Sequence, residues 1–467
     1  MAQLSEAIAR YHKLLENQGA RDLGWVDDLQ ERMRKARLVK SGRLAAPILR
    51  PHFLGKRQQA SLVRAVEAFC SAVNEIEAVV ASSPALMSRL QMLPAEKLLA
   101  QIPGRQSRFS MTGVMDAHLA NGSVRIGGIR PNIFPAVAYS AVLSDLFLEL
   151  PILKEFRRGR YRISGMGSTK HLLLAVLKAW KEFGSKTSPG IAILELKRQF
   201  SEESTESLLL AELIEREGIS ARVISPNQLE YRDRTLRSGD FPIDIIFRLP
   251  SAPELLVRHD LSHPLLEACR DQAVCMVNGF RSELTRRLAF FELLTDDAVT
   301  SRLAAPHQKT LAQLAPWTRM MAHTKTKHCG ATIDLAEFVS KNREQFVLRP
   351  DDYSTEQSTF IGYETDQRQW DRALNYALRS RYVVQEYSLV PKDIFPIYQY
   401  GNLHMREMQI LVQPYVFAGK VYGFSALLHP ASTNVTSPAA IAPVFLLEKI
   451  RCGLSRARAE CIAPKPG

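Results

Sequence analysis

Four short apolar runs separated by helical stretches constrain this chain more than any other feature: "GIAILEL" from 190, "ARVIS" from 221, "FPIDIIFRL" from 241 and "AVCMVNGF" from 273. Each is apolar at consecutive positions rather than alternate ones, as in a strand buried on both faces. Between the first two lies "SEESTESLLLAELIEREG", a helix opened by serine and glutamate and closed by Gly218. The alternation over residues 160–280 predicts a small parallel α/β sheet.

The flanks read differently. Residues 1–105 form a helical region, with "SLVRAVEAFCSAVNEIEAVV" placing apolar residues at helical spacing. "GVMDAHLANGSVRIGGI" predicts two strands joined at Asn121-Gly122, and "AVAYSAVLSDLFLEL" a helix that stops at Pro151. Beyond 281 come helices, "APWTR", and then "FVLRP", "TFIGYE", "YVVQEYS" and "MQILVQPYVFAGKVYGFSALL", which predict an antiparallel sheet. The expected division is 1–105 helical, 106–275 α/β with the hairpin, 276–455 an α+β module, and 456–467 a loose tail.

The 61 Lys+Arg against 48 Asp+Glu leave a net charge of +13, spread along the chain. No basic tract is interleaved with aromatics, so nucleic acid is not indicated, and a positive cleft for anions is. The cysteines (Cys70, Cys269, Cys275, Cys329, Cys452, Cys461) form no C-x-x-C pair and read as reduced thiols, with Cys269 and Cys275 buried. The N-terminal helix has no apolar core of a signal peptide, and the most apolar stretch carries Asp145 and Glu149, so a cytoplasmic protein without a membrane span is expected. "ISGMGSTK" at 163–170 has the wrong order for a phosphate loop and reads as a glycine turn before a helix, with an anion at the helix N-terminus as the other reading. His259 with His263, and His323 with His328 and Cys329, lack a complementary cluster for a metal, and the second group reads as a solvated loop.

Several fragments occur in order: "ARVISPNQLEYRDRTLRSGDFPIDIIFRL", "HPLLEACRDQAVCMVNGFRSELTRRLAFFELLTDD", "APWTR", "FVLRPDDYSTEQSTFIGYE" with a later Trp370, and "YVVQEYS". Together they resemble the circularly permuted ATP-grasp family, in its bacterial branch similar to glutathionylspermidine synthetase, over residues 110–447. The resemblance implies a chain that grips ATP and Mg²⁺ between two subdomains and joins a carboxylate to an amine through an acyl phosphate.

The family's Mg²⁺ ligands are an Asp, a Glu and an Asn. Asp116 fits the first place, but the second is Gly128 and the third Arg130. Glycine offers no side-chain ligand, and the arginine adds a cation whose repulsion at ligand distance is several kcal/mol even at an effective dielectric of about 20. Arg287 and Arg349 stand where the family has its two phosphate-binding lysines; both keep the charge but change its shape. The glycine-rich loop becomes Thr355, Glu356, Gln357 and Ser358, which cannot take positive φ freely or let backbone approach phosphate closely. In "STNVTSPAAIAPVFLL", Asn434-Val435 and Pro443 persist, while Ser437-Pro438-Ala439-Ala440 replace glycines.

Other family features stay in place: Asn278, Arg281, Trp317-Thr318-Arg319, Trp370 and Gln385-Glu386. The resemblance gives Gln385 and Glu386 an adenine contact or only a strand-end role. It gives Arg281 and Arg319 an anion or a surface ion pair, and the two tryptophans a packing role. Three functions stay open: a non-catalytic binding or assembly subunit, partnered with an active relative; a ligase with a recoded arginine-rich site; and a cleft where Arg130, Arg287 and Arg349 converge on an anionic small molecule or peptide. Against the last stands pairing of those arginines with Asp351, Asp352 or Glu386.

Overall fold

In the computed structural model the described residues are 2–19, 23–40, 42–102, 112–132, 135–166, 169–184, 187–196, 205–352, 358–399, 401–431 and 440–450. The four apolar runs form one parallel sheet in the order Cys275–Val277, Ile245–Arg248, Ile191–Leu194, Ala221–Ile224. All four residues of Ile191–Leu194 are buried, as sequence without alternation requires. "FPIDIIFRL" is not one strand. Phe241–Ile243 joins an antiparallel three-stranded sheet with Thr235–Ser238 and Glu230–Arg232, and only Ile245–Arg248 enters the parallel sheet. Asp244 makes the switch: its carboxylate accepts the Gly190 amide at 2.8 Å and its own amide donates to Gly190 O at 2.9 Å. Only glycine serves at 190, since a Cβ there would stand 2.3 Å from Pro242 O.

A larger sheet runs in the order His52–Gly55, Ala440–Lys449, Lys420–Pro430, Asn402–Phe417, Thr112–Ala120, Ser123–Pro131. Lys392–Gln399 also pairs with Asn402–Phe417, and Tyr161–Gly165 with Ala440–Lys449. Within residues 1–105 the helices are thus accompanied by an edge strand, His52–Gly55, that runs parallel to Val444–Leu447, and by a small ladder of Val39–Lys40 with Arg43–Leu44. The long helix Lys56–Ser82 buries Leu62, Val66, Phe69, Val73, Ile76 and Val80, one face at a 3.6-residue period. Pro151 ends the helix Pro135–Glu149 and opens the next, Pro151–Arg157.

The last sheet is antiparallel: Thr318–Met320, Tyr382–Glu386, Phe346–Pro350, Phe360–Ile361. The helices Leu335–Lys341 and Gln367–Arg379 share its core of Trp370, Val339, Phe346, Leu348 and Val384. Among the described residues, no helix is long and apolar enough to cross a membrane. The fold class is therefore the one expected: helices at the N-terminus, a parallel α/β sheet and antiparallel sheets.

One buried cation ties the parallel sheet to the segment that follows it. Arg248 is fully buried and donates to Glu283 Oε1 at 2.5 Å, Pro250 O at 2.7 Å, Ser282 Oγ at 3.1 Å and Asn278 O at 3.2 Å. Removing one member of such a pair strands the other charge. Glu283→Ala is expected to lower unfolding free energy by about 3–5 kcal/mol, read as a lower midpoint in urea; a midpoint unchanged from the parent would show that water reaches Arg248.

Candidate functional site

The hairpin Thr112–Ala120/Ser123–Pro131 turns at Asn121 and Gly122, whose φ values of 52° and 79° are the positive pair that a two-residue turn of this kind demands. Its register sets Asp116 opposite Gly128 and Val114 opposite Arg130. With side chains alternating, Asp116 and Arg130 share one face and Gly128 leaves the space between them open. Arg130 fills it: its Nε and Nη2 lie 3.0 and 2.9 Å from Asp116 Oδ2. The other carboxylate oxygen, Oδ1, accepts from Gln413 Nε2 at 3.2 Å. Burial alone would raise the Asp116 carboxyl, but Arg130, then Arg349, together with the Gln413 hydrogen bond, hold it below the ordinary carboxylate range.

From the neighbouring sheet, Arg349 Nη1 donates to Gly127 O at 2.8 Å and to Gln385 Oε1 at 2.9 Å. Gln385 in turn donates to Thr318 Oγ1 at 3.0 Å. A Cβ at 127 would stand 3.1 Å from His118 Nε2, a tight contact. Burial pushes His118 down to about 4, with Arg349 adding to the effect and Asp116 opposing it. His429 is lowered by burial and by Arg130. Arg349 therefore joins the small antiparallel sheet to the hairpin.

Arg287 is engaged elsewhere, 2.6 Å from Glu96 and 3.1 Å from Asp351. Asp351 also holds Arg381 at 3.2 Å and the Ala289 amide at 2.7 Å, while Arg286 reaches Asp352 at 2.8 Å. The structure thus gathers Arg130 and Arg349 about Asp116 and gives Arg287 to Glu96 and Asp351. Glu386 accepts the Trp317 amide at 3.3 Å and lies 3.2 Å from His328 Nε2. His328 is not on a solvated loop: it sits in the strand Lys325–His328, half-buried among Trp317, Phe338 and Phe346.

Arg319 is held by Thr326 Oγ1 at 2.9 Å, Thr295 Oγ1 at 3.0 Å and Thr318 O at 2.7 Å, with its guanidinium 4.8 Å from the Trp317 ring. Trp370 is fully buried and donates to Val339 O at 3.2 Å. Arg281 is exposed and acts on Glu77, whose carboxyl burial pushes up to about 7. Cys70, Cys269 and Cys275 are buried free thiols and Cys329 is exposed. Thr355, Glu356, Gln357, Asn434, Val435, Ser437, Pro438, Ala439, Ser168, Cys452, Cys461 and the tail lie outside the described residues.

A cavity of about 850 Å³ opens at Tyr387, lined by Leu119, Asn121, Tyr363, Leu389 and Lys392 among others; Glu386 is not part of its lining. The two tyrosine rings stand 4.8 Å apart. Sequence reasoning missed His118, Gln413 and Glu96. His118 follows Asp116 by two positions, a signal that could have marked it; Gln413 lies 297 residues from its partner and carried none.

The donor set does not fit Mg²⁺. Such an ion needs several oxygen ligands, whereas the hairpin offers one carboxylate whose oxygens already serve Arg130 and Gln413. Among the described residues no three His, Cys, Asp or Glu gather as a metal group.

No protein-family profile and no curated protein matches the chain. Its fold matches a glutathione synthetase-like effector from Globodera pallida in apo form, at 13% identity over 90% of this chain and 96% of that one, with a TM-score of 0.57. A putative gamma-glutamylcysteine synthetase from Methylobacillus flagellatus KT aligns at 12% identity over 83% of this chain and 87% of that one, TM-score 0.40. D-alanyl-alanine synthetase A from Vibrio cholerae aligns at 11% over 55% and 89%, TM-score 0.25. The latter two scores are too low to bear on the site. The first establishes a shared glutathione synthetase-like fold and nothing about chemistry.

His118 gives a pH test. Its pKa falls from 6.5 to about 4 on folding, so the fold disfavours the protonated ring. The stability held by the neutral ring is complete above about pH 6.5 and is lost as pH falls toward 4. His118→Gln should make the acid-side loss of unfolding free energy shallower by up to about 3 kcal/mol across that window; an unchanged slope would mean His118 titrates normally.

Proposed function

We propose that this chain is a circularly permuted ATP-grasp protein, related to the glutathionylspermidine synthetase-like branch, in which an arginine has taken the metal place. It acts in the cytoplasm as a non-catalytic binding or assembly subunit, beside an active relative. The observation that carries this reading is the Asp116–Arg130 ion pair at 2.9 Å, which consumes the one carboxylate at that place and neutralises it internally. Loss of a single transition-state donor already costs about 10²–10³ in rate. A missing metal ligand pair adds to that loss, as does a phosphate loop without glycine.

A second reading, an ATP-dependent carboxylate–amine ligase with a recoded site, draws on two observations. Arg349 keeps a cation beside Gln385, and the 850 Å³ cavity at Tyr363 and Tyr387 has room for a nucleoside. Under either reading the cluster of Arg130 and Arg349 favours an anionic small molecule or peptide.

Calorimetric titration of ATP with and without Mg²⁺ separates the two. The non-catalytic reading expects no Mg²⁺-dependent gain in affinity. Mg²⁺-dependent ATP binding that Arg349→Ala abolishes would establish the recoded ligase instead. Arg287→Ala is the companion variant; leaving the buried Glu96 without its cation should cost about 3–5 kcal/mol of stability whichever reading holds, so it is read by unfolding as well as by binding.

A further inference from the structure

The helix Ala305–Leu314 packs along the helix Lys56–Ser82, and one serine at that contact is bonded unlike its counterparts. A hydroxyl inside a helix ordinarily gives its proton to a carbonyl of the preceding turn. Ser144 donates to Ser140 O at 2.8 Å, Ser88 to Ala85 O at 2.7 Å and Thr310 to Pro306 O at 2.9 Å. Ser71, exposed in the middle of its helix, meets an imidazole instead: its Oγ lies 3.1 Å from His307 Nε2.

The other ring nitrogen is engaged too. His307 Nδ1 lies 2.8 Å from Oε2 of Glu75. Glu75 stands four residues after Ser71, so both side chains rise from one face of one helix, and His307 bridges them from the next. An ionised carboxylate only accepts. In the neutral imidazole the proton is therefore held at Nδ1, and Nε2 turns a lone pair to the hydroxyl. Nucleophile, base and orienting carboxylate each stand within hydrogen-bond reach of the next, the arrangement that activates a serine. His307 is the third residue of its helix, and its amide donates to Ala304 O at 2.9 Å.

The group is open to reagents. The His307 side chain keeps 24% of its surface exposed and the Glu75 side chain 44%. Three surface side chains supply a nucleophile and its base rather than a deep specificity pocket. The donor they suit is accordingly small and already activated: an ester or thioester of a short acyl group.

We propose that Ser71, His307 and Glu75 form a second site, at which Ser71 takes an acyl group from small activated esters. Ser71 Oγ bonds to the carbonyl carbon while its proton passes to His307 Nε2. The tetrahedral adduct then expels the leaving oxygen or sulfur, which takes that proton from Nε2. Water deprotonated by the same nitrogen cleaves the acyl-serine and releases the carboxylic acid. Glu75 acts through His307 and is a positioning residue. None of the three belongs to the Asp116 cluster, so the site stands independently of the function proposed above.

The probes are diisopropyl fluorophosphate, whose P–F bond breaks as a serine oxygen bonds to phosphorus, and p-nitrophenyl acetate, with adducts on the full chain mapped by mass spectrometry. The expected result is one diisopropylphosphoryl group, and with the ester one acetyl group, on Ser71. Labelling should slow by about 10²-fold or more in His307→Gln, the scale of general-base assistance. It should slow by about tenfold or more in Glu75→Gln, which no longer dictates the tautomer. Release of p-nitrophenolate that continues past one equivalent marks a hydrolase; release that stops there marks an acceptor that keeps its acyl group. Either supports the site. Three outcomes overturn it: no adduct on Ser71 with either reagent, acetyl on His307 in place of Ser71, or Ser71 labelling at the parent rate in both variants. The last would leave the contact as a tie between two helices.

Discussion

Asp116 is the point on which the candidate site turns. A carboxylate with only 2% of its surface exposed needs compensation, and here it comes entirely from protein: Arg130 on one oxygen, Gln413 on the other, Arg349 acting from the facing sheet. Each compensating group sits on a different strand, so satisfying one charge fixes the relative placement of the hairpin, the long strand Asn402–Phe417 and the small antiparallel sheet. Arg349 extends the linkage, because the same guanidinium nitrogen that meets Gln385 also meets the backbone of Gly127. A site neutralised in this way has no electrostatic call for a divalent ion.

The same device recurs at two other buried positions. Arg248 with Glu283 braces the segment after the parallel sheet, and Arg287 with Glu96 and Asp351 braces the start of the small sheet. In each case an arginine fork spans elements far apart in sequence and satisfies backbone oxygens or a second carboxylate besides its ion-pair partner. Buried pairs of this type add little net stability over apolar packing, but they are costly to break from one side. They tie the segments that carry them to one another.

Much of the fold was legible from the sequence because its strongest signals are local. Consecutive apolar residues at Ile191–Leu194 and Ala221–Ile224 mark strands buried on both faces, and Asn121-Gly122 marks the hairpin turn. Positions 116, 128 and 130 could be compared from the sequence only through the family resemblance, and the hairpin's pairing then puts them on one face. What was not legible is what depends on distant partners. Nothing near Gln413 or Glu96 marks them as companions of Asp116 and Arg287, 297 and 191 residues away. "FPIDIIFRL" looked like one strand because Asp244, which splits it, shows its role only through its bond to Gly190. The strand His52–Gly55 is four residues long and becomes a strand only by pairing with Val444–Leu447.

The central claim of the proposed function is that Arg130 stands where the resembled family would hold a metal ion. Its most direct test is Mn²⁺ binding followed by electron paramagnetic resonance, on the parent chain and on Gly128→Glu/Arg130→Asn, which returns two oxygen ligands and removes the guanidinium. The account predicts that the parent leaves Mn²⁺ free and that the double variant binds it. Stoichiometric Mn²⁺ binding by the parent, abolished by Asp116→Asn, would contradict the account and place a metal where the ion pair is now drawn.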